Sequence, residues 1–450
     1  MIEIKPLHHC DAIIPIPGSK SYTHRALIVS ALADGESILI NPLRSEDTEH
    51  TVRGLRKLGM TIFWRDDRLY VLGRGGRLKA TEARIFVGNS GTSMRFLTAL
   101  ATLKNGRTLL KGSEQMRRRP IDDLLNGLKA LGVKAYSQKG NGYPPVVVES
   151  QGLKGGKARI RGEESSQFLS ALLLVAPYAS KDVHIEVTGN LASRPYVDIT
   201  RNVMSAFGVE VQNQKDTSFF VQAGHRYLRR EYRIEGDASH ASYFLSAAAI
   251  TQGRVRVENL HPTSIQGDVR FLGILEDMGC RVMRGDSWAE AQGKELHGVE
   301  IDMNTMPDLV PTLAVTAAFA QGKTLIKNIG HLHLKESDRI SVLANELFKM
   351  GIRVEEGKDW LKVEGGKAHG AEIDTYNDHR IAMSFAIAGL AVPGVKIKGE
   401  RCVDKSFPDF WETLQRLYNP PSPPFSLRPR AVSDPEGKGG RGGIWKQVVL

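Results

Sequence analysis

The feature that most limits what this chain can fold into is a sixfold internal repeat. A small polar or Gly-containing cluster opens an Ala/Leu-rich helix, a turn and a short strand follow, and a second helix ends near a Gly before another strand. The starts fall near Gly18, Gly88, Glu163, Asp237, Met306 and Tyr376, at intervals of 70, 75, 74, 69 and 70 residues. Five second helices end alike, at Leu58-Gly59, Leu131-Gly132, Phe207-Gly208, Met278-Gly279 and Met350-Gly351, each Gly a predicted left-handed stop. The residues after them, such as Val209-Glu210-Val211 and Ile352-Arg353-Val354, alternate as strands do. The first helices, including 96–101, 168–175, 243–250, 313–319 and 381–390, are apolar nearly all round. A helix apolar on every side must be buried, so the unit is expected to carry its helices inside and its sheets outside.

Units of about 70 residues exceed the size of ordinary solenoid repeats, and three of them make a domain of usual size. The expected organisation is two three-unit domains divided near residues 233–236. Residues 20–234 form the first, and residues 1–19 with 235–418 form the second, discontinuous one. Beyond Leu417 the composition changes to Pro420, Pro421, Pro423 and Pro424 followed by Gly437, Gly439 and Gly440, so 419–450 is expected to be a disordered tail.

The net charge of +11, from 61 Lys and Arg against 50 Asp and Glu, fits anionic partners of several kinds. The longest basic run is only Arg117-Arg118-Arg119, which argues against a nucleic-acid tail. Three cysteines, Cys10, Cys280 and Cys402, stand far apart without a C-x-x-C pair, against both a disulfide scaffold and a zinc site. His331 and His333 lack a third ligand at metal spacing. The N-terminus has no signal-peptide core, and no window approaches eighteen apolar residues, so a soluble cytoplasmic protein is expected.

Chemistry-bearing residues sit at equivalent stations of the repeat. Pro17-Gly18-Ser19-Lys20-Ser21 opens the first helix, with Ser19 or Ser21 as its cap and Ser21 and Arg25 four apart on one face. Bare amides at a helix start favour anions, and Lys20 and Arg25 add charge. The same station carries Gly88-Asn89-Ser90-Gly91 in unit two, Glu164-Ser165-Ser166-Gln167 in unit three, Met306-Pro307-Asp308 in unit five and Asn377-Asp378-His379-Arg380 in unit six. Any one of these is what a capped helix shows; five at matched positions are a pattern. The loops before second helices add Arg119, Ser193 with Tyr196, Lys335, Glu336, Arg339 and Lys405. A cleft lined by these bases suits substrates with several anionic groups. Glu46-Asp47 would either steer the Lys20 region or be a loop, and reads as a loop.

The succession P-G-S-K-S-x-x-x-R, G-N-S-G-T-S-M-R, R-R-P, S-S-Q-F-L, S-R-P-Y, E-G-D-A-S, P-D, K-E-S-D-R, N-D-H-R and K-S-F-P-D, spanning residues 12–415 in order, resembles the enolpyruvyl transferases. It is most similar to the branch that acts on shikimate-3-phosphate. The resemblance implies an inside-out α/β barrel fold of two domains closing on substrates. It implies transfer of the enolpyruvyl group of phosphoenolpyruvate to the 5-hydroxyl of shikimate-3-phosphate, releasing phosphate. Shikimate-3-phosphate would then be held by Lys20, Ser21, Arg25, Ser165, Ser166, Gln167, Ser193, Tyr196, Asp308 and Lys335. Phosphoenolpyruvate would be held by Lys20, Gly91, Arg119, Gln167, Arg339, Arg380 and Lys405, with Asn89 and His379 in support. Asp308, Glu336 and Lys20 would carry the proton transfers, without cofactor or metal, in a monomer whose partners are these small molecules. The chain departs from the family pattern at Tyr22-Thr23-His24, at Phe96 where a Pro is common, and at His331 where Asn is common. The sister enzymes acting on UDP-N-acetylglucosamine carry a Cys before the Arg119 position, and none stands between Gly112 and Pro120. An RNA-end-processing or nucleic-acid-binding protein on a related fold would need aromatic platforms among its bases. The motif loops offer Tyr22, Tyr196 and Phe407.

Overall fold

The computed structural model describes residues 1–7, 9–78 and 82–419, so the expected tail lies almost wholly outside the described residues. Among the described residues twelve α-helices follow in order: α1 (Lys20–Leu32), α2 (Glu46–Lys57), α3 (Gly91–Leu100), α4 (Asp122–Ala130), α5 (Ser166–Val175), α6 (Pro195–Ala206), α7 (Ala238–Ile250), α8 (Phe271–Asp277), α9 (Val310–Ala317), α10 (Arg339–Lys349), α11 (His379–Ala388) and α12 (Phe410–Gln415). The odd-numbered helices are the apolar first helices of the six units, and they are buried along nearly their whole length. Helices α1, α3 and α5 pack on one another, as do α7, α9 and α11. Two separate apolar clusters result. One runs from Tyr22 to Ile234, and the other combines Ile4 to Ile16 with Ala238 to Leu417.

Sheets wall each helical trio. In the second unit Glu82–Phe86 runs parallel to Asn105–Lys111, which pairs antiparallel with Val146–Gln151, and Lys134–Ser137 forms the far edge. Burial along Glu82–Phe86 alternates, with Ala83 and Ile85 facing the helices, as a sheet covered on one side requires. Five sheets among the described residues repeat this order with four strands, and a sixth has three. The left-handed stops fall where the sequence places them, with φ of 95° at Gly59, 85° at Gly132, 86° at Gly208, 108° at Gly279 and 80° at Gly351.

Each half completes its own sheets with a strand distant in sequence. Glu231–Arg233 runs parallel to Asp34–Ile40 and completes the first unit's sheet, whereas Asp11–Pro15 runs parallel to Arg254–Glu258 in the fourth unit's sheet. The sixth unit lacks a Gly-stopped second helix. Its short sheet is closed by the N-terminal Ile2–Glu3, antiparallel to Lys396–Ile397. The two connections between the halves lie side by side, Gly18 bridging Gly236. Glycine is required at both, because a Cβ would stand 1.9 Å from the Asn41 carbonyl oxygen at Gly18 and 2.0 Å from that of Asn259 at Gly236.

Candidate active site

The start of α1 is built differently from the expectation that its own serines cap it. Ser19 occupies the cap position without a side-chain cap bond. The carboxylate of Asp237, itself the cap of α7, accepts the Lys20 backbone N–H at 2.9 Å instead. The orphan amide at the start of one half is thus satisfied from the other. This junction sets Lys20 at the seam.

Arg25 lies one turn on and is buried. Its Nε donates to Thr200 Oγ1 at 2.7 Å, Nη1 to the Ser21 carbonyl at 2.9 Å and Nη2 to the Tyr196 carbonyl at 2.9 Å, while its guanidinium lies over the Phe96 ring. Phe96 therefore has a local role, as a platform beneath Arg25 worth roughly 0.5–2 kcal/mol. Nη2 also reaches Ser170 Oγ at 3.4 Å, so of the five N–H donors one, on Nη1, is left for the cleft that Arg25 lines.

The cleft between the two halves is lined from one side by Lys20, Ser21, Gly91, Arg119, Ser165, Ser166, Gln167, Ser193 and Tyr196. From the other it is lined by Asp308, Lys335, Glu336, Arg339, His379 and Arg380. Residues expected on sequence grounds to hold substrate are thereby brought to one place. Ser165 caps α5 by accepting the Gln167 N–H, and Gln167 Nε2 reaches Thr92 Oγ1 at 3.2 Å, linking the starts of α5 and α3. Ser193 takes a left-handed φ of 56°, and its N–H donates across the seam to the Asn304 carbonyl.

Lys405 stands one layer back. Its Nζ donates to Asp47 Oδ1 and to the Asn89 carbonyl, both at 2.7 Å, and lies 3.7 Å from Glu336. Asp47 also accepts from Lys20 Nζ at 3.2 Å. The reading of Glu46-Asp47 as a loop is thus corrected. These residues are the first turn of α2, capped by Ser45, whose side chain accepts the Thr48 N–H. Asp47 is the carboxylate that joins the two lysines. The sequence carried a signal for it: Ser45, three residues before Thr48, with acidic residues between, is a helix start that favours negative charge.

The catalytic candidates are engaged with cations. Asp308 accepts from Arg380 Nη2 at 2.8 Å, Arg339 Nη1 at 3.1 Å and Tyr196 Oη at 3.1 Å. Glu336 accepts from Arg339 Nη2 at 3.0 Å and from Arg119 Nη1 across the seam at 3.4 Å. Arg339, buried at the centre, also grips the fully buried Asp378 through Nε at 2.8 Å. Burial alone would push both candidate carboxyls up, but Arg380 and Arg339 at Asp308, and Arg119 and Arg339 at Glu336, outweigh it. Both are held well below the usual carboxylate range. Burial pushes the Lys335 ammonium down to about 8. Burial also holds the His379 ring neutral, well below its ordinary value.

Among the residues that line the cleft, six cations (Lys20, Arg25, Arg119, Lys335, Arg339 and Arg380) meet three carboxylates (Asp47, Asp308 and Glu336). The surplus is positive, so the cleft is built for anions. Arg119 Nε, Arg380 Nη1 and Gln167 Oε1 have no partner among the described residues. His331 lines a separate open groove beside the cleft, with its Nε2 buried and without a partner among the described residues. The three cysteines are buried and outside the cleft lining.

Residues 4–414 match the family model described as EPSP synthase (3-phosphoshikimate 1-carboxyvinyltransferase). A protein of Nostoc punctiforme named 3-phosphoshikimate 1-carboxyvinyltransferase is 47% identical over 414 residues, covering 91% of this chain and 97% of its own length. One of the same name from Methanoculleus marisnigri is 46% identical over 406 residues, covering 90% and 96%. Among solved structures, an EPSP synthase from Acinetobacter baumannii superposes with a TM-score of 0.77 at 28% identity, covering 92% of this chain and 97% of that one.

Proposed function

The chain belongs to the EPSP synthase family, and from that premise we propose a division of labour among the residues of the cleft. The reaction is transfer of the carboxyvinyl group of phosphoenolpyruvate to the 5-hydroxyl of shikimate-3-phosphate. The observation that carries the assignment of residues is the set of cations, supplied by both halves, that surrounds Asp308 and Glu336. Each substrate bears a carboxylate and a phosphate ester, so each needs fixed cations. A surplus of cations over carboxylates in one cleft supports that role.

Shikimate-3-phosphate is held by Lys20, Ser21, Arg25, Ser165, Ser166, Gln167, Ser193, Tyr196, Asp308 and Lys335. Phosphoenolpyruvate is held by Lys20, Gly91, Arg119, Gln167, Arg339, Arg380 and Lys405, with Asn89 and His379 in support. The 5-hydroxyl oxygen bonds to C2 of phosphoenolpyruvate as Asp308 takes its proton and C3 gains a proton from Glu336 or Lys20. The tetrahedral adduct then loses a proton from that methyl group and expels phosphate, which restores the double bond.

A carboxylate clamped by two guanidinium groups is a poor base. Substrate anions compete for those guanidinium donors, so binding loosens the grip on Asp308 and Glu336 and raises their basicity. The device arms the acid and base only when both anions are present. Two domains, 20–234 and 1–19 with 235–418, are supported by the separate apolar clusters, and their closure would exclude water from the reacting atoms. We take the working form to be a cytoplasmic monomer. Among the described residues no helix is long and apolar enough to cross a membrane.

Phosphate release from phosphoenolpyruvate, measured with shikimate-3-phosphate and with UDP-N-acetylglucosamine as acceptors, tests the assignment. Release is expected with the first alone, and none with it would overturn the reading.

A further inference from the structure

Behind the expected phosphoenolpyruvate half of the cleft lies a buried chain of side chains that substrate does not touch. His24, on α1 one turn after Lys20, is fully buried, and its Nδ1 stands 2.8 Å from Thr51 Oγ1 on α2. Thr51 Oγ1 is 2.8 Å from Ser93 Oγ on α3, and Ser93 Oγ is 3.1 Å from the Asp47 backbone carbonyl. Ser90 Oγ, at the cap of α3, is 2.7 Å from Ser93 Oγ and accepts the Ser93 N–H.

Counting protons gives this chain a direction. A carbonyl only accepts, so the single Ser93 hydroxyl proton is committed to Asp47. Ser93 Oγ must then accept from both Thr51 and Ser90. The Thr51 proton is committed in turn, so Thr51 has none to offer His24, and His24 Nδ1 must be the donor. The ring is therefore the Nδ1–H tautomer, with a bare Nε2 that has no partner among the described residues. The opposite tautomer breaks a buried bond at Thr51. Burial holds the ring neutral, down to about 3; Asp47 favours the charged form, but protonation at Nε2 would also set a cation among Lys20, Arg25 and Lys405.

We propose that His24, as the Nδ1–H tautomer, is a positioning residue that heads a one-way hydrogen-bond chain through Thr51 and Ser93 to the Asp47 carbonyl and so sets the phosphoenolpyruvate cations. The chain ties three helices that each bring a part of that half: Lys20 on α1, Asp47 on α2 and Gly91 on α3. Asp47 is the joint between Lys20 and Lys405, so its placement decides where two cations meet the substrate. The inference rests on the reading of this half as the phosphoenolpyruvate site.

Two measurements on the full chain test it. Nitrogen-15 NMR of the imidazoles, with the His24 signals assigned by their loss in His24→Asn, reports the tautomer directly. A protonated Nδ1 and bare Nε2 that do not titrate between about pH 5.5 and 9 are expected, and an Nε2–H ring or a titrating one overturns the proposal whether or not the enzyme turns over. In kinetics, Thr51→Val, which keeps shape and removes the relay, and His24→Leu should each raise KM for phosphoenolpyruvate about three- to tenfold, the worth of one buried hydrogen bond. KM for shikimate-3-phosphate, which meets Lys20 but not Lys405, should rise by a clearly smaller factor. The double variant should be no worse than either single one. His24→Asn, whose amide N–H falls near the Nδ1 position, should restore KM despite a loss of packing. Where His24→Leu does not fold, Thr51→Val alone decides. An unchanged KM for phosphoenolpyruvate, equal rises for both substrates, or failure of Asn to rescue refutes the positioning role. Absence of phosphate release by the unaltered protein refutes the assigned reaction instead, leaving the tautomer result to stand or fall by itself.

Discussion

Replacing Gly91 by Ala adds one methyl group at the start of α3, in the most crowded part of the cleft. The new Cβ would stand 2.4 Å from Arg95 Nη1 and 2.9 Å from both Cζ and Nη1 of Arg119. Contacts below 3 Å cannot persist, so one or both guanidinium groups must give way by about half an ångström or more. Arg119 is the costlier to displace, since its Nη1 reaches Glu336 across the seam and its Nε lies ready for a ligand. A displaced charge-assisted contact weakens phosphoenolpyruvate binding by about 1.5–3 kcal/mol, or roughly 10- to 150-fold in KM. The fold should suffer little, because the atoms that must move are the far ends of two flexible side chains. Steady-state kinetics with each substrate varied in turn, alongside thermal unfolding, reads both effects. Gly273→Ala serves as control, since a Cβ on that half-buried position of α8 meets nothing within 4 Å and should leave KM alone. A Gly91→Ala enzyme whose KM for phosphoenolpyruvate stays within twofold would show that this helix start does not approach the substrate.

Asp308→Asn should lower kcat by about 10²–10⁴ while shikimate-3-phosphate binding, followed by equilibrium titration, is mostly retained; an unaffected rate would remove Asp308 from the proton transfers. Lys335, pushed down to about 8 by burial, binds an anion only while protonated, so KM for shikimate-3-phosphate should climb as pH rises through that value. The same shift has a sign for stability: between pH 8 and the ordinary lysine range the unfolded chain holds a proton that the folded one has lost, so this group's penalty on folding is largest at lower pH and is relieved as pH rises. Lys335→Arg should flatten the pH dependence of KM, and a wild-type profile flat to pH 9.5 would exclude Lys335 from binding. Gln115 spans the seam, its Nε2 donating to the Tyr376 carbonyl at 3.2 Å and its Oε1 accepting from Asn377 at 3.0 Å and Asn89 at 2.8 Å. Gln115→Ala should weaken both substrates by one common factor of about two to ten, as expected for a bond acting on closure, and unequal effects would point to a local contact instead.

The repeat, its helical interior and the stations of Lys20, Gly91, Ser165, Asp308 and Arg380 were legible from the amino acids alone. The reason is that they depend on local physics: a glycine stop acts within one turn, a cap within three residues, and an apolar helix declares its own burial. Even Asp47 had a local signature in the capping box of α2, although nothing nearby reveals what it pairs with. What only the tertiary structure decided are pairings between residues far apart in the chain. Ile2–Glu3 closes the last sheet beside Lys396–Ile397, Asp237 satisfies the first amide of α1, and Lys405 meets Asp47 across the seam. The direction of the His24 chain is of the same kind, for it needs three helices in contact before the protons can be counted. Spacing along a sequence encodes which face of an element is buried, whereas the partner waiting on the other side is selected by packing, and charge alone does not name it.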